Sequence, residues 1–131
     1  MKIYLIHKVR GASSDTIKFA SEYVSRLEKV GHKVHFPLRD VEQNDDSVAI
    51  CKKHRDAMYN CDEVHVIWDE SSIGSHFDLG MAYMLSFIQG EMLGRELPIV
   101  IVGIYKTELT KNKSYTDFLQ KIGEWTRHEE R

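Results

Sequence analysis

The residue of this sequence best placed to carry out chemistry is an aspartate in a polar turn. Asp78 lies in the stretch SSIGSHFDLGMA, residues 71–82, directly after the apolar run DEVHVIWDE. The apolar run predicts a buried strand, and the residues around Asp78 predict the start of a helix. An acid near a helix N-terminus stabilises the helix dipole by roughly 0.3 to 1 kcal/mol. Asp78 is therefore interpreted either as a helix-stabilising residue or as an active-site carboxylate.

Two loops rich in hydrogen-bond donors each lead into a predicted helix. KVRGASSD (8–15) follows the first predicted strand, and DESSIGS (69–75) follows the third. Free N–H groups and the dipole at a helix N-terminus favour an anion, and Arg10 adds a guanidinium suited to phosphate. The sequence therefore predicts an anionic small-molecule ligand such as a nucleotide. Neither loop matches the glycine pattern of a dinucleotide-binding fold or of a P-loop.

Predicted strands and helices alternate along the whole chain. The periodicity of apolar residues predicts strand 2–9, helix 16–30, strand 32–38, helix 47–61, strand 62–68, helix 74–93, strand 98–105 and helix 114–130. Ser13, Ser14 or Asp15 is suited to cap the first helix. We expect one domain, residues 1–131, that forms a flavodoxin-like (Rossmann-like) three-layer α/β sandwich with a parallel sheet of four or five strands. Ligands of such folds bind at the carboxyl ends of the strands, where both donor-rich loops lie.

Length and composition exclude several classes of function. The 131 residues, 42% of them hydrophobic, are enough to bury a sizeable core. The net charge of −2 argues against a nucleic-acid surface, and the longest apolar run, LPIVIVGI, is too short to span a membrane. Because KIYLIH after Met1 indicates a strand and not a signal peptide, we expect a cytoplasmic protein with reduced thiols. Cys51, His54 and Cys61 lack a recognised zinc spacing, so no metal site is predicted.

Two segments together resemble the nucleoside 2-deoxyribosyltransferase superfamily. They are IYLIHKVRGA (3–12) and DEVHVIWDESSIGSHFDLGMA (62–82). Within the superfamily, the sequence is most similar to the 2′-deoxynucleoside 5′-phosphate N-hydrolases. Those proteins carry a tyrosine on the first strand, a phosphate loop after it, and a Ser-Leu-Gly-x-Gly-x-Glu motif that contains the catalytic glutamate. The resemblance covers most of the first 83 residues.

The resemblance implies roles for individual residues. Asp78 falls on the glutamate that attacks the anomeric carbon of the sugar, and Tyr4 falls on the tyrosine beside it. The implied substrate- and phosphate-binding residues are His7, Val9, Arg10, Gly11, Ser72 and Gly74. The leaving base needs a proton, and His54 or Asp56 on the preceding helix could supply it.

The implied reaction is cleavage of the N-glycosidic bond of a (deoxy)nucleoside 5′-monophosphate. A glycosyl-enzyme ester would form and be resolved by water, or by a second base in a deoxyribosyl transfer. This chemistry requires no cofactor and no metal. The implied partners are a nucleotide or nucleoside and further copies of the chain in a homodimer or larger homo-oligomer, with the apolar helix 81–93 as a candidate interface. No nucleic-acid or membrane partner is implied.

The sequence departs from the family pattern in three ways. Asp78 is one methylene shorter than glutamate, His54 takes the place of an aspartate, and His7 with Lys8 replaces the Gly-Ser of the phosphate loop. These departures leave open a second interpretation of the sequence. In that interpretation the protein is a catalytically inactive nucleotide-binding or sensor module on the same fold.

Overall fold

The alternating sequence pattern forms a five-stranded parallel sheet between two layers of helices. The structure, a computed structural model, describes residues 1–105 and 114–126. Its elements are β1 (Lys2–Ile6), α1 (Ser14–Lys29), β2 (Lys33–His35), α2 (Pro37–Asp40), α3 (Ser47–Tyr59), β3 (Glu63–Asp69), α4 (Ile73–Leu93), β4 (Ile99–Tyr105), α5 (Tyr115–Ile122) and β5 (Glu124–Trp125). The strand order is β2-β1-β3-β4-β5, and every neighbouring pair is parallel. The expected flavodoxin-like three-layer fold is confirmed. None of the helices in the described residues has the length and apolarity needed to cross a membrane.

Each face of the sheet has its own hydrophobic core. On one face Ile3 and Leu5 of β1 pack with residues of α1, among them Tyr23. On the other face Tyr4 and Ile6 pack with residues of α3, α4 and α5. Successive strand residues point to opposite faces of a sheet, and this alternation directs Tyr4 toward the layer that contains α4.

Polar residues before the helices satisfy the first backbone N–H groups. The Ser13 hydroxyl, one of the caps that the sequence suggests, accepts a 3.2 Å hydrogen bond from the amide of Thr16 at the start of α1. The Asp46 carboxylate accepts a 2.9 Å hydrogen bond from the amide of Val48 at the start of α3. α4 ends at Gly94, whose φ of 74° lies in the left-handed region that favours glycine.

Three of the predicted elements extend too far. The strand predicted over 2–9 ends at Ile6, so that His7 and Val9 lie in the loop after β1. The strand predicted over 32–38 spans only Lys33–His35, because Pro37 begins the short helix α2 at the position where proline is favoured. The helix predicted over 114–130 ends at Ile122, and the chain then forms β5 beside β4. Residues 127–130 of that prediction lie outside the described residues.

Candidate active site

A buried hydrogen bond between a carboxylate and a tyrosine joins α4 to β1. Asp78 lies in the second turn of α4 and is 7% exposed, and its Oδ2 accepts a 2.8 Å hydrogen bond from the Tyr4 hydroxyl. Burial raises the pKa of Asp78 to about 6, while the hydrogen bond from Tyr4 acts in the opposite direction. Burial and the nearby Asp78 charge raise the pKa of Tyr4, so the tyrosine stays a protonated donor.

The helix dipole does not account for Asp78. α4 begins at Ile73, and its first turn contains no acidic residue. Ser72 caps the helix instead, since its hydroxyl accepts a 3.2 Å hydrogen bond from the amide of Ser75. Dipole stabilisation falls off within the first turn, whereas burial of a carboxylate costs free energy. A carboxylate buried at such a cost and with a raised pKa is typical of a functional site.

Asp78 lies on the wall of a cavity of about 590 Å³ at the carboxyl end of the sheet. The loops after β1 and β3 bound the cavity on one side, and α3 bounds it on another. Most of the residues expected from the sequence line this cavity: His7, Val9, Arg10, His54, Ser72, Gly74 and Asp78. Tyr4 is not part of the cavity wall and reaches the site through its hydrogen bond to Asp78.

Two further expected residues, Asp56 and Gly11, are also not on the cavity wall. The Asp56 side chain is exposed on α3 and forms a 2.9 Å ion pair with Arg55. Positions 54 and 56 point away from each other because residues two apart on a helix do not share a face, and only His54 faces the cavity. The structure therefore does not bring Asp56 to the site. Gly11 has a φ of 69°, a conformation that favours glycine, and its role is to shape the loop.

A lysine connects the two loops at the edge of the cavity. Lys8 Nζ donates a 2.8 Å hydrogen bond to Ser71 Oγ, and Ser71 Oγ donates one of 2.6 Å to Asp69 Oδ1. Ser71 is itself part of the cavity wall, as is the exposed Arg10. Within residues 1–105 and 114–126 the Arg10 guanidinium forms no ion pair or hydrogen bond. Arg10 is therefore available to bind an anion that enters the cavity.

Three histidines lie at or near the site. His35 and His54 pack around Tyr4, and His7 lines the cavity. The ring centroid of His35 lies 5.0 Å from that of Tyr4 and 5.9 Å from that of His54. Burial lowers the pKa of His7 and of His35 to about 4, and it also lowers the pKa of His54. All three side chains are therefore neutral at pH 7. They contribute hydrogen-bonding groups to the site and no positive charge.

The two cysteines lie in different environments. Cys51 is exposed on the cavity wall, whereas Cys61 is buried in the core, where burial raises the pKa of its thiol to about 12. In the part of the chain that the structure describes, no group of three or more His, Cys, Asp or Glu residues is arranged to hold a metal ion. Cys51, His54 and Cys61 therefore do not form a metal site there.

One part of the cavity wall has no counterpart in the sequence predictions. It consists of Pro37, Gln43, Ile50 and Phe77. The Gln43 amide donates hydrogen bonds to the carbonyls of Pro37, at 3.1 Å, and of Val41, at 3.0 Å, and so folds the segment after α2 against the site. Proline at the start of a helix is the one available signal for α2. Phe77 adjoins Asp78 in the sequence, but an aromatic residue at that position is equally typical of a core.

The fold and cavity define a parallel α/β protein with a ligand-sized cavity between the ends of β1 and β3, where the strand order changes direction.

No protein-family model matches the chain, and no curated protein matches it. Among solved structures, the CMP N-glycosidase BcmB of Clostridium botulinum has the same fold, with a TM-score of 0.61 and 15% identity over 96% of this chain and 85% of that one. The 2-deoxyribosyltransferase of Bacillus psychrosaccharolyticus is similar too, with a TM-score of 0.62 and 18% identity over 97% of this chain and 86% of that one. At these identities the likeness shows a common fold.

Proposed function

We propose that this protein cleaves the N-glycosidic bond of a nucleoside 5′-monophosphate, with Asp78 as the nucleophile. The observation that carries the proposal is the buried Asp78–Tyr4 pair on the wall of the cavity. A cavity of about 590 Å³ is within the size range of small-molecule sites. The fold, shared with a CMP N-glycosidase and a 2-deoxyribosyltransferase, supports cleavage or transfer at a glycosidic bond.

The geometry of Asp78 suits nucleophilic attack. With a pKa of about 6, roughly nine in ten of the carboxylates are ionised at pH 7. Tyr4 donates to Oδ2, while Oδ1 has no hydrogen-bond partner among the described residues. Oδ1 attacks C1′ of the sugar, the base departs with the bonding electron pair, and a glycosyl ester of Asp78 forms. Tyr4 holds the carboxylate in place for this attack.

The 5′-phosphate binds between Arg10 and the N-terminus of α4. The Arg10 guanidinium can bind two phosphate oxygens at once. Gly74 lies in the first turn of α4, and no heavy atom lies within 4 Å of where a Cβ at this position would be, so its backbone is open to a ligand. Ser72 caps that helix, and Val9 and Gly11 shape the opposite loop. Contacts to the phosphate position the sugar over Asp78.

His54 assists departure of the base. It lies on α3 at the cavity wall, and its lowered pKa leaves the ring neutral at pH 7. A neutral imidazole can donate its N–H to a base nitrogen or carbonyl oxygen as negative charge develops there. Since Asp56 faces solvent, His54 is the candidate for this role.

A second candidate function is nucleotide binding without turnover. The aspartate side chain is one methylene shorter than the glutamate of the family that the sequence resembles, and Asp78 is only 7% exposed. A carboxylate withdrawn in this way could leave C1′ out of reach of Oδ1. In that case the cavity would retain a nucleotide and release no base.

We also propose that the chain forms a homodimer or larger homo-oligomer through α4. This helix exposes large apolar side chains that lie beyond its buried face, among them Met84, Phe87 and Met92, which are 58%, 57% and 77% exposed. Several large exposed apolar side chains on one helix are typical of an interaction site.

A base-release assay tests the proposed reaction. The four ribonucleoside and four 2′-deoxyribonucleoside 5′-monophosphates, and the free nucleosides, are incubated with the protein, and liquid chromatography measures the free base. We expect release from one or a few monophosphates and none with Asp78→Asn. Asp56→Asn is the matched control, because it makes the same chemical change outside the cavity. If nucleotides raise the melting temperature while no base is released, the binding module is the correct function.

A further inference from the structure

The two serines before α4 use their hydrogen-bond donors within the protein. The amide and the hydroxyl of Ser71 both donate to Oδ1 of Asp69, at 2.9 and 2.6 Å. The amide of Ser72 donates to the carbonyl oxygen of Asp69 at 3.0 Å, and its hydroxyl donates to Oγ of Ser75 at 2.8 Å. Neither serine therefore has a donor left for a phosphate, although the sequence resemblance implies that Ser72 binds one.

A lysine from the opposite loop lies directly beside these serines. Nζ of Lys8 donates a 2.8 Å hydrogen bond to Oγ of Ser71, a residue of the cavity wall. An ammonium group has three donors, and this is the one hydrogen bond that Lys8 Nζ makes within residues 1–105 and 114–126. Two N–H donors of Lys8 are therefore available to a ligand.

The charge of Lys8 is not neutralised by a direct ion pair. Within the part of the chain that the structure describes, no carboxylate oxygen lies within 4.0 Å of its Nζ. The Ser71 hydroxyl separates Lys8 from the carboxylate of Asp69, which offsets only part of the positive charge. Hydrogen bonds from an ionised donor are roughly twice as strong as those from a neutral one. Lys8 is therefore better suited than either serine to hold an anion.

Lys8 and Arg10 are carried by the same turn. A Cβ at Gly11 would lie 3.9 Å from Cε of Lys8, so the stem of the lysine lies against this turn. Arg10, the residue before Gly11, lines the cavity and has no partner among the described residues. The loop after β1 therefore places two cations at the edge of the cavity. Arg10 is on the wall, and Lys8 reaches the wall at the Ser71 hydroxyl.

We propose that Lys8 and Arg10 together bind the 5′-phosphate, and that the pair selects a phosphate monoester over a diester and over an uncharged nucleoside. The inference rests on the proposed function. At pH 7 a phosphate monoester carries a charge of about −1.5 to −2, whereas a diester carries a single negative charge. Two cations match the charge of the monoester. Lys8 is thus a specificity-determining residue, and it supplies the donors that Ser71 and Ser72 lack.

Binding of ribose 5-phosphate and 2-deoxyribose 5-phosphate tests the inference without turnover. These sugar phosphates are the possible products of the proposed hydrolysis and have no N-glycosidic bond to cleave. Isothermal titration calorimetry measures their dissociation constants with the wild type, Lys8→Met and Lys8→Arg. We expect the dissociation constant of the tighter ligand to rise by roughly tenfold or more in Lys8→Met, and by much less in Lys8→Arg, which keeps the charge.

The matched control makes the same chemical change far from the cavity. Lys29→Met, at an exposed lysine in the last turn of α1, should bind the sugar phosphate as the wild type does. If Lys8→Met does not fold by circular dichroism, Lys8→Gln takes its place.

Two comparisons separate the charge of Lys8 from its contact with Ser71. Ser71→Ala removes that contact and leaves the ammonium in place, so it should weaken binding far less than Lys8→Met does. The methyl ester of the sugar phosphate has one negative charge. The wild type should prefer the unesterified phosphate to this ester, and the preference should shrink in Lys8→Met. A lysine that merely joined the two loops would leave the preference unchanged.

The outcomes distinguish this inference from the proposed function. Wild-type affinity in Lys8→Met overturns the role of Lys8 and leaves Arg10 as the phosphate ligand. An equal loss of affinity in Ser71→Ala and Lys8→Met also overturns it, because the contact between the loops would then matter and not the charge. A wild type that binds neither sugar phosphate overturns the phosphate site as a whole. Absence of base release from every nucleotide refutes the proposed reaction, whereas the sugar-phosphate affinities still decide the role of Lys8.

Discussion

Replacement of Asp78 by asparagine should stabilise the protein at neutral pH while it abolishes turnover. In the wild type the folded chain holds an ionised carboxylate that is 7% exposed. An asparagine of nearly the same shape carries no charge. Its side-chain oxygen can accept the hydrogen bond of the Tyr4 hydroxyl in place of Oδ2. The substitution therefore removes the cost of burying a charge and keeps the main contact.

The size and pH dependence of the effect follow from the pKa of Asp78. Folding raises this pKa from 3.8 to about 6, close to two units, and each unit corresponds to about 1.4 kcal/mol. Between pH 4 and 6 the folded chain keeps the Asp78 proton and the unfolded chain loses it, so this group lowers stability as pH rises through that window. Above pH 6 to 7 we expect Asp78→Asn to be more stable than the wild type by about 3 kcal/mol at most. At pH 4 and below the difference should vanish.

Urea unfolding at half-unit steps from pH 4 to pH 8 measures the difference in the free energy of unfolding between variant and wild type. Asp56→Asn, at an exposed carboxylate on α3, should show no comparable gain at any pH. A free-energy difference for Asp78→Asn that is the same at pH 4 and pH 7 would refute the reasoning. So would a variant that is less stable than wild type at pH 7, because either result means that folding does not bury an ionised carboxylate at this position.

Three further predictions concern other parts of the site. Arg10→Gln should raise KM for a cleaved monophosphate by roughly tenfold or more and leave turnover of any accepted free nucleoside unchanged. Steady-state kinetics with both substrates measure these effects. An equal effect on the two substrates would show that Arg10 does not bind the phosphate. The pKa of His7 falls from 6.5 to about 4 on folding, so its contribution to stability is present above pH 6.5 and is lost as pH falls to 4. Between pH 7 and pH 4 we expect the free energy of unfolding of His7→Gln to fall by about 3 kcal/mol less than that of the wild type. Urea unfolding at the two pH values measures this, and an equal fall in both proteins would contradict it. Light scattering after size exclusion should give an oligomer for the wild type and a monomer for Phe87→Glu, and a wild-type monomer at micromolar concentration would argue against the α4 interface.

The parts of the fold that were predicted correctly are those with a strong periodic signal. α1 repeats its apolar residues at helical spacing, and β3 is a continuous apolar run between polar turns. The errors lie where tertiary contacts, and not the local sequence pattern, determine the conformation of the chain. β5 has only two residues and no periodicity of its own, and the chain turns into it at Gly123, where a Cβ would lie 2.8 Å from Cγ1 of Ile101. That contact is with β4 and leaves no trace in the sequence around Gly123.

The candidate site was predictable to the level of loops and not to the level of individual atoms. Parallel sheets bring the ends of β1 and β3 together, and this rule predicts that Arg10 and Asp78 lie at one ligand-binding edge of the sheet. It could not decide between His54 and Asp56, although helix geometry separates the two once the facing side of α3 is known. The same rule does not predict that His7, His35 and His54 lie near one another. His7 follows β1, His35 ends β2 and His54 lies on α3, and the relative positions of these segments depend on the whole sheet.

The Tyr4–Asp78 hydrogen bond has a consequence for how the chain folds. Its two residues are 74 positions apart, so the contact requires the paired strands β1 and β3 and a docked α4. Contacts of such long range carry a high loop-closure cost and are typical of slow steps in folding. Docking of α4 is also the event that takes the carboxylate out of water. The cavity proposed to bind a nucleotide therefore forms in the same step that buries the Asp78 carboxylate. Because a protonated carboxyl is easier to bury, mildly acidic conditions should favour that step.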